Sequence, residues 1–179
     1  MQVIRYFSFL FILVLPSCKN QSPTTINTVS TILLNSSFES GGSPSSDGWT
    51  ISSSPMGGYS TDVPPNGGTY SIFLEASNPG GSASIKIALP QGAHIFRFSV
   101  WAKVTRLTGR AEIDFVHAID QTIYFKQIDI PDTTWREYSI YDTLSVSSGD
   151  SLKVFLSPGF SELIASRTNF DICKVEQIQ

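Results

Sequence analysis

Cysteine is nearly absent: the 179 residues contain two, Cys18 and Cys173. So few exclude a disulfide framework and any cysteine-based metal cluster. Histidine is as scarce, with His94 and His117 alone, and no HExxH or G-x-S-x-G spacing accompanies them. Charged residues make up only 15% of the chain, and 12 Lys+Arg are outnumbered by 15 Asp+Glu. Without a basic stripe, the sequence argues against a nucleic-acid partner. Long apolar runs are missing too. The longest, Tyr6–Leu15, falls short of the roughly 20 residues a helix needs to cross a bilayer. Helical periodicity is just as hard to find, and only Ser161–Ser166 offers even one turn.

What is present begins with that apolar run. Met1 and Arg5 give it a positive start, so residues 1–17 read as a signal segment. Leu15-Pro16-Ser17-Cys18 follows directly and resembles a bacterial lipobox, with Pro16 where a small or β-branched residue is usual. The resemblance makes Cys18 the lipidated first residue of the mature protein. Several acyl chains on one cysteine hold a membrane firmly, whereas a single chain binds it only marginally. Lys19 supplies no acidic cue for inner-membrane retention, which points to the outer membrane, on either face. Residues 18–31, polar, rich in Thr and Ser and broken by Pro23, read as a flexible tether. Removing 17 of 179 residues leaves 162, one domain's worth, with a charge of −4 once Arg5 is gone. Cys173, left without a partner, reads as a buried free thiol.

From Ile32 to the C-terminus the apolar period is two. Phe96, Phe98, Val100 and Ala102 share one strand face, with Arg97, Ser99, Trp101 and Lys103 on the other. Ala111, Ile113 and Phe115 oppose Glu112, Asp114 and Val116 in the same way. Further runs lie at Trp49–Ser53, Tyr70–Ala76, Ile85–Leu89, Thr122–Ile130, Trp135–Asp142, Leu152–Ser157 and Asn169–Ile178. SGGSPSSDG, PPNGG, NPGG, PQG, LTG and SSGD separate them as turns. Nine or ten short strands with such turns predict an all-β, antiparallel sandwich over residues 32–179.

Three separated stretches carry a more specific signal. The first is Asn35-Ser36-Ser37-Phe38-Glu39 with Gly48-Trp49. The second combines Gly67-Gly68-Thr69-Tyr70-Ser71, Phe96–Lys103 and Trp135-Arg136-Glu137-Tyr138. The third is Asn169-Phe170-Asp171-Ile172. In order and spacing they resemble the jelly-roll carbohydrate-binding modules of the galactose-binding-like group that accompany glycanases. Ile172 departs from the pattern by replacing a second acidic residue. The resemblance implies a jelly-roll fold, a polysaccharide or oligosaccharide ligand, and a structural Ca²⁺ near the first and last strands. Glu39 and Asp171 are the acids at the matching positions, with Gly68 and Thr69 in a loop able to lend carbonyls. Ca²⁺ takes six to eight oxygens, so two carboxylates plus carbonyls suit it.

A sugar site needs a flat aromatic ring beside fixed donors and acceptors. If the strands holding Arg97–Lys103 and Glu112–Asp114 are neighbours, one face carries Trp101 ringed by Arg97, Lys103, Glu112 and Asp114. Tyr124, with Lys126, extends it onto the next strand. The competing reading makes Trp101 and Trp135 part of the fold and the charges ordinary cross-strand ion pairs, which contribute little. On that reading the protein is a structural or adhesion scaffold. Trp49 is expected to pack beneath the first turn, Tyr59 and Tyr70 to line the rim, and His117 to be a satisfied core or edge histidine. No nucleophile context or carboxylate pair stands out, so the sequence predicts a non-enzyme.

Overall fold

The computed structural model describes residues 30–52, 57–76, 81–159 and 166–178. The signal segment, Cys18, the tether up to residue 29 and most of the Ser161–Ser166 turn lie outside them. No described helix is long and apolar enough to cross a membrane.

The described residues form thirteen strands, in chain order β1 (Ser30–Ser36), β2 (Glu39–Ser40), β3 (Ser43–Pro44), β4 (Thr50–Ser52), β5 (Gly57–Ser60), β6 (Ser71–Ala76), β7 (Ser82–Ala88), β8 (Gly92–Val104), β9 (Gly109–Val116), β10 (Ile123–Ile130), β11 (Arg136–Val146), β12 (Ser151–Ser157) and β13 (Ser166–Ile178). Every ladder is antiparallel. A front sheet runs β11-β8-β13-β6-β5, with β1 also paired to β13; a back sheet runs β10-β9-β12-β7-β4. β2 and β3 form a separate two-residue ladder. The result is an antiparallel jelly-roll β-sandwich. It differs from the sequence expectation in small ways. Ser30 and Thr31, assigned to the tether, belong to β1, and β5 was not foreseen because Gly57-Gly58 carries no alternating pattern.

The alternation visible in the sequence sorts the two faces of each strand. Phe96, Phe98, Val100 and Ala102 of β8 turn into the core, as do Ala111, Ile113 and Phe115 of β9 and Leu152, Val154 and Leu156 of β12. Phe170, fully buried on β13, lies beside Ala102 on one flank and Ile72 on the other. Its truncation to alanine removes a large side chain from the centre of the front sheet. The expected cost is about 3–5 kcal/mol, read as a lower urea midpoint with an unchanged slope. Cys173 is free and buried in the same core, and burial raises its thiol pKa well above the ordinary value. Trp49 packs beneath the first turn as expected. Its ring tilts against Phe38 at 5.1 Å and its indole N–H donates to Ser36 Oγ at 3.0 Å.

Candidate functional site

The composite face read from the sequence does not exist. β8 and β9 follow one another in the chain but belong to opposite sheets. Both edges of β8 are taken by β11 and β13, and both edges of β9 by β10 and β12. Residues 105–108 therefore carry the chain across the sandwich instead of forming a hairpin. Arg97, Trp101 and Lys103 face outward from the front sheet, while Glu112 and Asp114 face outward from the back. Tyr124 is displaced again. It lies opposite core-facing Phe115 in the register, on the inner side of β10. Being at the sandwich edge it stays exposed, beside a cavity of about 320 Å³ that it shares with His117 and Asp142. Lys126 follows it inward and ties the two sheets together, reaching Asp142 Oδ1 at 2.7 Å and the Tyr141 carbonyl at 3.1 Å. His117 is an edge residue with partners: Phe115 meets it edge-on at 4.6 Å, and Asp150 Oδ2 lies 3.3 Å from its Nδ1.

On the front face the charges are matched internally. Arg97 pairs with Glu137 at 2.7 Å and Glu176 at 3.5 Å, and Lys174 with Glu176 at 2.7 Å. Loop 61–70 crosses this face, and its Asp62 binds both the Lys103 ammonium and the Trp135 indole N–H. Partial burial works to raise Asp62, but those two hydrogen bonds outweigh it and hold the carboxyl low. Trp101 is half-buried between Glu137 and Asp171 in the register.

The back face is different. Adjacent strands β7, β12, β9 and β10 place Ser84, Phe155, Glu112 and Gln127 in one cross-strand row. Lys86, Lys153, Asp114 and Phe125 form the next row. Phe155 is half-buried with the Lys153 ammonium 5.3 Å from its ring centre, and Phe125 is 56% exposed. Two strand spacings and one two-residue step put the backbone positions of the two phenylalanines roughly 12 Å apart. Arg110 and Asp129, side by side in the register, and Gln127 make no side-chain hydrogen bond among the described residues. Lys153 approaches Asp114 only at 3.9 Å. Burial, then a hydrogen bond with Asp114, raises the Glu112 pKa. A cavity of about 270 Å³ beside Phe155 takes in Arg110, Ser82 and Ser157.

Phe155 and Phe125 were missed in the sequence, although the signal was there. In SLKVFLS, the core takes Leu152, Val154 and Leu156, which leaves Phe155 as a large aromatic on the polar side.

Glu39 and Asp171, by contrast, do converge. Asp171 is fully buried, and its Oδ1 accepts from the Ile172 N–H at 2.8 Å while Oδ2 has no partner among the described residues. Burial lifts the carboxyl to about 7, with Glu39 adding to the rise. Glu39 Oε2 accepts from the N–H groups of Thr69 at 2.6 Å and Tyr70 at 3.1 Å. A Cβ on Gly68 would collide with Glu39 Oε1, and one on Gly67 would lie 2.6 Å from Asp171 Oδ2, so only glycines let this loop close over both acids. Phe38 and Ile172, each beside one of the acids, have φ of 54° and 47°. Positive φ in a β-branched residue is strained backbone, held here at the bulge in β13.

No family model and no curated protein sequence matches the chain. Solved structures do. The chain is similar to the CBM22-1 xylan-binding domain of Paenibacillus barcinonensis Xyn10C, with 13% identity and a TM-score of 0.57 over 84% of this chain and 96% of that one. It is also similar to the CBM22-1–GH10 modules of Clostridium thermocellum xylanase 10B complexed with xylohexaose, with 13% identity and a TM-score of 0.56. There 82% of this chain aligns to 28% of that one. A third likeness is to the enzymatically active domain of bacteriophage CBA120 tailspike protein 4, with 18% identity, a TM-score of 0.57 and 73% of this chain against 19% of the tailspike. The chain thus spans under a third of the xylanase and tailspike chains. At such identities the likeness is one of fold: the chain is a jelly-roll β-sandwich with the architecture of carbohydrate-binding modules.

Proposed function

We propose that the protein is a non-catalytic carbohydrate-binding module whose ligand lies along the outer face of the back sheet. One observation carries this reading: Phe155 and Phe125 stand on an open sheet beside Arg110, Asp129 and Gln127, whose side chains make no hydrogen bond among the described residues. Unspent donors and acceptors beside aromatic rings suit a ligand that presents apolar C–H faces and a rim of hydroxyls. The spacing of the two positions favours an oligosaccharide or polysaccharide over a single sugar. The fold shared with a xylan-binding domain supports the same ligand class.

Catalysis does not suit this face. Glu112 and Asp114 stand side by side on one face of β9, with Asp114 near enough to help raise the Glu112 carboxyl, whereas two-carboxylate glycoside hydrolysis needs its two acids to flank the scissile bond.

A structural Ca²⁺ fits the cradle at Glu39 and Asp171. The buried, unpartnered Asp171 Oδ2 calls for a proton or a cation, and the glycine-lined loop brings a second carboxylate beside it. Glu39 and Asp171 would hold the ion with carbonyls of Gly68 and Thr69, fastening β2 and loop 61–70 to β13. In the cell, Cys18 anchors the domain through its lipid, and Lys19 favours the outer membrane.

Affinity electrophoresis through gels containing xylan, β-glucan, mannan or pectin, with calcium or with EDTA, tests the glycan reading. Retardation by one polymer supports it. Uniform mobility of the folded protein in every gel overturns it and favours the scaffold.

A further inference from the structure

A second polar cavity, of about 400 Å³, opens on the front sheet, across the sandwich from Phe155. Its walls include Ser60, Asp62, Lys103, Thr133, Arg167 and Asn169. Arg167 dominates it. The guanidinium carbon lies 3.5 Å from the Phe73 ring centre, which fixes the plane of the group. Nε donates to Asn169 Oδ1 at 3.1 Å, which fixes its rotation. Asn169 is itself buried, with its amide nitrogen 3.5 Å from Ser71 Oγ.

A guanidinium held by its face and its Nε leaves its two terminal nitrogens aimed in a set direction. Among the described residues they have no hydrogen-bond or carboxylate partner. The acids that act on Arg167, Glu75 and Asp62, do so only through space. Asp62 is already occupied by Lys103 and the Trp135 indole. Two parallel N–H donors on a fixed fork match the two oxygens of a carboxylate. Around them, the hydroxyls of Ser60 and Thr133 suit a ligand that also carries hydroxyls. The volume lies within the roughly 300–1,000 Å³ of small-molecule pockets.

We infer that this cavity binds a carboxylated sugar, a uronate residue, with its carboxylate on the Arg167 fork. The site goes beyond the back-sheet reading and is independent of Phe155.

Titration calorimetry of the full chain with D-glucuronate and D-galacturonate, against their neutral methyl esters and acetate, tests it. At least one uronate is expected to bind about tenfold or more tightly than its ester. Binding should weaken as salt rises from about 50 to 500 mM. Arg167→Gln and Arg167→Lys should each lose about tenfold or more, since Lys keeps the charge but not the fork. Phe155→Ala should leave uronate binding intact. If Arg167→Gln does not fold, the ester comparison and Arg167→Lys decide. An ester that binds as well as its acid, acetate matching the uronate, an Arg167→Lys variant like wild type, loss through Phe155→Ala, or no binding of either uronate would each overturn the site.

Discussion

Replacing Phe155 by alanine is expected to abolish retardation in the gel that holds the wild-type protein back. Central aromatic anchors commonly contribute about 2 kcal/mol or more to an interface, which corresponds to roughly a thirtyfold loss of affinity. Phe155 sits in the middle of the back sheet, between Ser84 and Glu112 in the register, on a strand flanked on both sides. Being half-buried, the ring is held by its neighbours and loses little freedom on meeting a sugar. Phe125, on the edge strand and more exposed, should matter less. Trp101→Ala is the informative control. It alters an aromatic on the opposite sheet and should leave retardation unchanged. The reverse result, with Trp101→Ala losing the polymer and Phe155→Ala keeping it, would move the site to the front sheet.

The second large effect concerns Asp171 and appears in EDTA. Its carboxyl is pushed from an ordinary 3.8 up to about 7, chiefly by burial. The native protein therefore holds this proton more tightly than the unfolded chain does. The group's contribution to stability is complete below about pH 4 and is lost as pH rises through 7, to an amplitude on the order of 4 kcal/mol. Urea midpoints in EDTA should fall across that window, and calcium at pH 8 should restore much of the loss. Asp171→Asn keeps an oxygen for the Ile172 N–H and removes the charge. In EDTA at pH 8 it should be more stable than wild type, flat from pH 4 to 8 relative to it, and indifferent to calcium. A wild-type protein that ignores calcium at pH 8 would rule out the ion. A variant with the same pH profile as wild type would show that Asp171 does not set the slope.

The sandwich was legible because period-two alternation is a property of a single strand, and Phe96–Val104, Ala111–Phe115 and Leu152–Leu156 display it plainly. The neighbour of each strand was not legible. Alternation tells which side of a strand Arg97 and Glu112 occupy, but it is silent on whether β8 turns back upon itself or crosses to the other sheet. That one ambiguity separated Trp101 from Glu112, whereas Tyr124 was placed on the wrong face of its own strand, since it alternates in step with Ile128 and buried Ile130. Asp62 was equally hidden, since its role depends on a Pro-rich loop folding over a face that Lys103 and Trp135 build much later in the chain. Glu39 and Asp171 were recovered because the resemblance implies their meeting across most of the domain's length. No local pattern does so.

β13 has a consequence for how the chain acquires its fold. This strand lies at the centre of the front sheet, with β8 along one edge and β6 and then β1 along the other. Ser30 finds its partner at Ile178, and until that strand exists β1 has no ladder to join. The β5–β6 and β8–β11 ladders can form early, but the front sheet therefore cannot be joined into one, nor take up β1, before β13 is made. Closure of such distant pairings is slow, on the millisecond-to-second scale of β-sandwiches dominated by non-local contacts. A nascent chain from which residues 166–178 have not yet emerged would hold the β8–β11 and β5–β6 ladders with the edges that β13 joins still open, accessible to chaperones and proteases.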